Sequence, residues 1–278
     1  MALIILAVTL AGLFVAFGLL ARLSPCNSGQ PRFLGRSFAD DGLYCLVAVF
    51  CYGGAVSLYI HAGASLLAPQ HAAPVADRIL AGYGAAARLP LLPQALLIIV
   101  AVDFVQYWVH RLFHSHALWP FHAIHHSPED LDWTATFRNH PVNFLIYSSG
   151  VSALIRLAGF SDAAFVLIGP FNLIYGALVH ANLSWTFGPF RYVIASPVYH
   201  RWHHAKDPAA YNSNFAPTFP LWDLMFGTCY LPKGVLPHDY GVAGVPAHFL
   251  SQLIYPFRTY AERAGFGRKP DAPAPVQP

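Results

Sequence analysis

The chain has 278 residues, 56% of them hydrophobic and only 10% charged, with a mean hydropathy of +0.45. Soluble domains carry about a quarter charged residues, so this composition excludes an ordinary soluble enzyme and predicts an integral membrane protein. The formal net charge of +3 is too small to suggest a nucleic-acid partner.

The first apolar run, residues 3–20, is uncharged and is followed by Arg22. No basic residue precedes it and no small-residue cleavage site follows, so it reads as a retained span rather than a removed signal peptide. Residues 43–67 are long enough to cross a bilayer with tilt. A third run, residues 89–110, begins among prolines and ends in histidines. Residues 142–157 and 163–179 each fall short of the roughly 20 residues of a full crossing, which leaves a re-entrant hairpin and two true spans both open.

From about Leu183 the chain is rich in turn residues and reads as a cap resting on the spans. Near the end, Phe249, Leu250, Leu253, Ile254, Phe257 and Tyr260 recur at helical spacing around Pro256, which predicts a kinked helix on the membrane surface. The tail 271–278 reads as disordered. The expected organisation is an N-terminal membrane anchor over 1–95, a histidine-rich domain over 96–232, and an amphipathic helix and tail over 233–278. Arg22, Arg32 and Arg36 after the first span place that loop in the cytoplasm by the positive-inside rule. Parity then puts His110 onward on the same side, with Arg111, Arg138, Arg191, Arg201 and Lys206. The four cysteines, Cys26, Cys45, Cys51 and Cys229, show no CxxC spacing and read as free thiols.

The histidines carry the chemistry. "HAIHH" at 122–126 and "HRWHH" at 200–204 share the arrangement H-x-x-H-H, and "HRLFH" at 110–114 places two more one helical turn apart. Residues three and four apart share a helix face, so each group can aim imidazoles at a common point. With His180 in "LVHANL" the set is His110, His114, His122, His125, His126, His180, His200, His203 and His204. Burying so many unpartnered imidazoles would cost a few kcal/mol each, so the pattern predicts metal binding. Nine ligands exceed the needs of one ion and predict two, each held by four or five histidines. A carboxylate-bridged bundle is excluded because Glu129 and Glu262 are the only glutamates and neither belongs to a Glu-x-x-His pair.

Two divalent ions among neutral ligands need compensating anions. Asp103 and Asp223 are candidates to accept hydrogen bonds from histidine N–H groups, although Asp103 reads equally well as a helix-end charge reaching water.

The order HxxxH, HxxHH, a single histidine, then HxxHH resembles the fatty acid hydroxylase and sterol desaturase superfamily of membrane di-iron oxygenases. The resemblance extends through "DFVQYWVHR", "DLDWTATFRNHP", "SPVYHRWHHA" and "NFAPTFPLWDLMFGTCYLP", and covers about residues 101–232. It implies an all-α integral membrane protein in the bacterial inner membrane, with four to five transmembrane or re-entrant helices. A cytoplasmic histidine-rich helical region would cap them and hold a dinuclear site. Two irons would activate O2 to hydroxylate or desaturate a C–H bond of a lipid, and the nine histidines would be their ligands. His140, in "RNHP", would be a weaker ligand or would support one. Asn143 stands where some relatives have a glutamate. His61, His71, His116, His238 and His248 have no place in the pattern.

No Rossmann fingerprint, flavin motif or CxxCH appears, so electrons are expected from an external ferredoxin, rubredoxin, cytochrome or reductase, docking on basic residues such as Arg201 and Lys206. The competing readings are a histidine-rich metal transporter and a zinc-dependent membrane hydrolase.

Overall fold

The computed structural model describes residues 2–31, 35 and 37–266; Arg32, Arg36 and the tail 271–278 lie outside the described residues. Among the described residues the architecture is helical, with a single isolated antiparallel bridge between Ala205 and Tyr240. Among these residues four helices are long and apolar enough to cross a membrane: α1 (Ala2–Leu23), α2 (Phe38–Leu67), α4 (Leu91–Phe113) and α6 (Asp162–His180). A short helix α3 (Ala72–Ala81) follows α2.

These helices are apolar around most of their circumference, and Leu58, Leu66 and Val166 point outward, as lipid-facing residues do. α1 is the peripheral span, with 17% of its apolar window buried against 39% for α6. Ile98 from α4 and Ile168 from α6 meet Val151 and Ile155 in a central cluster. Ile60 and Ala64 of α2 pack on Ala76 and Ile79 of α3.

Val151 and Ile155 belong to α5, residues 141–157, which is α-helical at both ends and π-helical over Leu145–Gly150. Its 17 residues reach about 25 Å at 1.5 Å per residue, less than the roughly 30 Å hydrocarbon core. It returns into α6 through a turn at Gly159. There φ is +101° and an added Cβ would stand 2.5 Å from the Tyr83 carbonyl oxygen. The same turn accepts the Tyr83 N–H at the Gly159 carbonyl, 2.9 Å. Gly159→Ala is therefore expected to destabilise the protein by roughly 2 kcal/mol or more, seen as a lower unfolding midpoint in detergent.

The cap contributes α7 (Pro197–His203), α8 (Leu221–Phe226) and α9 (Phe249–Arg263). α9 runs through Pro256 and buries Tyr255, Pro256 and Thr259. It is docked on α2: the Tyr44 hydroxyl donates to Gln252 Oε1 at 3.0 Å, and Asp40 accepts the Phe249 N–H at 2.8 Å. Leu250, Ile254 and Phe257 remain exposed on its other face.

Two arginines read from sequence as part of a basic face are interior. Arg138 is 2% exposed and Arg201 0%. Arg138 pairs with Asp41 at 2.6 Å. The Arg201 guanidinium donates to the carbonyls of Leu131 and His180 and to Asn27 Oδ1, Gln30 Oε1 and the Tyr240 hydroxyl. A guanidinium with five fixed donors can gather scattered carbonyls from separate loops, which is why these positions are buried despite their charge.

Candidate metal centre

Each histidine arrives on a short, locally determined element. The last turn of α4 carries His110, and His114 is its C-cap. A one-turn helix, Trp119–His122, starts with Pro120 in its first turn and leads through hydrogen-bonded turns to His125 and His126. His180 ends α6. In α7 the Ser196 hydroxyl accepts the Tyr199 N–H at 3.1 Å, and Pro197 opens the helix. His200, His203 and His204 follow.

All nine side chains are buried and fall into two groups, His110, His114, His122, His126 and His203 in one, and His125, His180, His200 and His204 in the other. Within each group one ring nitrogen per histidine lies within 4.8 Å of all the others. The helical spacing explains the split. In each H-x-x-H-H motif the histidines at i and i+4 join one group and the middle one crosses to the other. The groups adjoin, with the His126 and His204 rings stacked 4.3 Å apart.

Several nitrogens face one another. Nε2 to Nε2 distances are 3.0 Å for His110 and His122, 3.3 Å for His125 and His180, 3.0 Å for His180 and His200, and 3.1 Å for His200 and His204. Ligand nitrogens about 2.1 Å from one ion are separated by about 3.0 Å at octahedral and 3.4 Å at tetrahedral angles, so these contacts have the edge lengths of a coordination shell. Nε2 of His114, His126 and His203 is buried with no hydrogen-bond partner. Burial, reinforced by neighbouring imidazoles, holds His114, His122, His126, His200, His203 and His204 well below the usual histidine range. His125 is lowered in the same way. The rings are neutral at pH 7, with lone pairs free for a cation, and the residues present fit a pair of first-row metal ions.

In five of the nine the opposite nitrogen is oriented by an oxygen acceptor. His110 Nδ1 meets the Phe215 carbonyl at 2.7 Å, His203 Nδ1 the Ser213 carbonyl at 2.7 Å, and His180 Nδ1 the Gly176 carbonyl at 2.7 Å. His125 Nδ1 meets the Arg138 carbonyl and His122 Nδ1 the Asn143 Oδ1, both at 3.1 Å. Such acceptors fix the tautomer that leaves Nε2 free. Asn143→Leu is expected to weaken metal binding by about 10- to 100-fold, measured by competition with a chelator.

Asp103 and Asp223 do not touch a histidine. Asp103 accepts the N–H groups of Thr218, Phe219 and the Trp222 indole. Asp223 accepts those of Phe215 and Ala216 and the hydroxyls of Tyr199 and Thr228. The loop they brace has N–H groups with no helical partner, which carboxylates satisfy, and that loop supplies the carbonyls for His110 and His203. Their action on the histidines is one bond more remote than the sequence suggested. His140 is also committed elsewhere: Nδ1 accepts the Val142 N–H, capping α5, and Nε2 donates to the Leu253 carbonyl at 3.1 Å. Sequence reasoning missed the backbone acceptors because a carbonyl leaves no trace in residue type, and it gave Asn143 no part in orienting His122 because a lone amide carries no spacing signal.

A cavity of about 850 Å³ opens beside His110, His122, His125, His180 and His200 and runs between α2, α4, α5 and α6, lined there by residues such as Val56, Val102 and Phe165.

Four apolar spans and a buried two-part imidazole site beside a cavity between the helices define a helical membrane protein with metal-binding geometry at one end of its bundle. Residues 95–228 match the family described as fatty acid hydroxylase. It is 34% identical to the ornithine lipid hydroxylase OlsE of Rhizobium tropici over 65% of this chain and 55% of that one. It is 34% identical to an alkylglycerol monooxygenase of Xenopus tropicalis, over 49% of this chain and 30% of that one. A very-long-chain aldehyde decarbonylase of Oryza sativa subsp. japonica is 28% identical over 46% of this chain and 21% of its own. The chain thus spans about half the length of the first of these relatives and less of the others. No solved structure matches it.

Proposed function

We propose that the protein is a membrane di-iron oxygenase that hydroxylates or desaturates a C–H bond of a lipid. The observation that carries the reading is the division of nine buried histidines into groups of five and four beside a lipid-sized cavity. The relatives' names, a lipid hydroxylase and a monooxygenase among them, support it. The ligands would be His110, His114, His122, His126 and His203 for one iron and His125, His180, His200 and His204 for the other.

Bound iron would supply the reduction of O2 that lets a C–H bond with no acidic or basic handle be attacked. The chain's own part is to hold, orient and exclude. The Nδ1 acceptors set His110, His122, His125, His180 and His203, the apolar wall keeps water from the reacting carbon, and the cavity takes a lipid tail laterally from the bilayer. Hydroxylation consumes O2, two electrons and two protons and yields the alcohol and water. The electrons come from a separate ferredoxin, rubredoxin, cytochrome or reductase, because the chain carries no redox-cofactor motif. Arg201 is unavailable for docking that donor, being fully buried, whereas Lys206 and Arg111 are exposed. We place the metal end on the cytoplasmic side, from Arg22 and these residues, and residues 96–232 as the oxygenase domain. A transporter is disfavoured, because its ligands belong at mid-span and these lie at the ends of α4 and α6.

The test is metal analysis of detergent-purified protein produced with ample iron, paired with oxygen uptake on addition of reductant and a lipid extract. Iron near two per chain, lipid-dependent uptake and a lipid product gaining one oxygen or losing two hydrogens are expected. Zinc alone, with no uptake after reconstitution with iron, would overturn the reading.

A further inference from the structure

The cavity is long and its polar groups are unevenly spent. On α6 it is lined from His180 back to Asp162, eighteen residues, or about 27 Å at 1.5 Å per residue. At the far end Arg156 donates Nε and Nη2 to Asp162, at 3.0 and 2.5 Å, and Nη1 to the Ser152 carbonyl. Its guanidinium also lies over the Phe165 ring at 3.7 Å. Apart from histidines, Arg156 and Asp162 are the charged residues on the wall, and they neutralise each other. An anionic headgroup would have to break that pair to find a partner.

Nearer the histidines, the largest neutral groups left unspent are a phenol and an amide, beside the smaller Thr136 and Ser148 hydroxyls. Tyr147 lies in the π-helical stretch of α5, a geometry that inserts an extra residue into a turn and recurs at functional sites. Its ring packs edge-on to His110, 5.7 Å between centres. Asn172 stands eight residues before His180 on α6, about 12 Å along the axis. Both line the cavity, Tyr147 half-buried and Asn172 exposed, and neither the phenol nor the amide makes a hydrogen bond among the described residues. An amide and a phenol at membrane depth are costly unless something in the cavity satisfies them.

We infer that Tyr147 and Asn172 form the polar recognition site of the cavity, and that its ligand is a lipid with a neutral carbonyl linkage, an ester or amide. The inference rests on the oxygenase reading for its catalytic consequence. The phenol beside His110 holds the linkage at the metal end, and the tail runs down the apolar channel toward Arg156. Attack then falls within a few bonds of the linkage and not at the tail's far end. Tyr147 and Asn172 are specificity-determining residues in this scheme, selecting an ester or amide lipid over a plain hydrocarbon or a free carboxylate.

The experiment is equilibrium binding of radiolabelled monopalmitoylglycerol, hexadecane and palmitate to the iron-loaded full chain in detergent. The neutral ester is expected to bind at least about tenfold more tightly than either other probe. Tyr147→Phe and Asn172→Leu should each weaken ester binding by about three- to tenfold, the worth of one hydrogen bond, with hexadecane binding and iron content unchanged. Palmitate or hexadecane binding as tightly as the ester in the unsubstituted protein would overturn the inference, and that comparison needs no variant. Unchanged ester preference in both variants would overturn it as well. The readout is independent of turnover. Ester preference in a protein that oxidises no lipid sinks the oxygenase reading alone, and an active oxygenase whose variants keep the preference sinks this site alone.

Discussion

Replacing His125 by alanine is expected to cut metal content from about two ions per chain to about one, and to lower lipid-dependent oxygen uptake by at least about a hundredfold. His125 belongs to the group of four, so its loss leaves three imidazoles where the Nε2 contacts of His125 with His180 and of His180 with His200 mark out a coordination shell. His203 offers the contrast. It belongs to the group of five, and His203→Ala leaves four ligands, enough to retain an ion at lower affinity. The expected signature is therefore asymmetric: one ion lost outright in the first variant, and both present but one more readily chelated in the second. Metal analysis before and after dialysis against a graded chelator reads the difference. Unchanged metal content in His125→Ala would remove that residue from the ligand set.

Breaking the Asp41–Arg138 pair should have the largest effect on stability. The two side chains meet at 2.6 Å, are 3% and 2% exposed, and join the start of α2 to the segment before α5. The Thr134 hydroxyl also donates to Asp41, and Arg138 Nη2 donates to the Ser37 carbonyl. Removing one charge strands the other in a dry interior, so Asp41→Ala or Arg138→Ala is expected to cost roughly 3–5 kcal/mol. Replacing both by apolar residues of similar size, Asp41→Leu with Arg138→Met, should recover most of it, because the desolvation cost disappears with the pair. Thermal unfolding in detergent of the two single variants and the double variant checks this. The Arg138 carbonyl also orients His125, so the single variants should bind metal more weakly even where they fold.

The four long helices were legible because a bilayer demands about 20 apolar residues and the composition leaves few other uses for them. The start of α2 was less legible. It begins at Phe38, five residues before the apolar run, because Asp40 and Asp41 at its head are used by the Phe249 N–H and by Arg138. The α5–α6 pair was ambiguous in sequence, since helix length alone does not choose between a dip and a crossing. The structure gives α5 a π-helical stretch and a glycine turn that locks onto Tyr83. Arg138 and Arg201 misled the reading for a definite reason. A basic residue among histidines looks like a surface charge until the carbonyls and carboxylates that surround it are known.

The sequence by itself determined the class of the protein and singled out the nine histidines as candidate ligands, because ligand type and helical spacing are properties of residues. Only the tertiary structure decided how those histidines are shared between two groups, which carbonyls and which amide orient them, and that Asp103, Asp223 and His140 serve the scaffold instead. It also decided which polar side chains along the cavity are left for a ligand. The physical reason is that backbone hydrogen-bond acceptors, and the walls of a cavity that several helices line, arise from segments far apart in the chain.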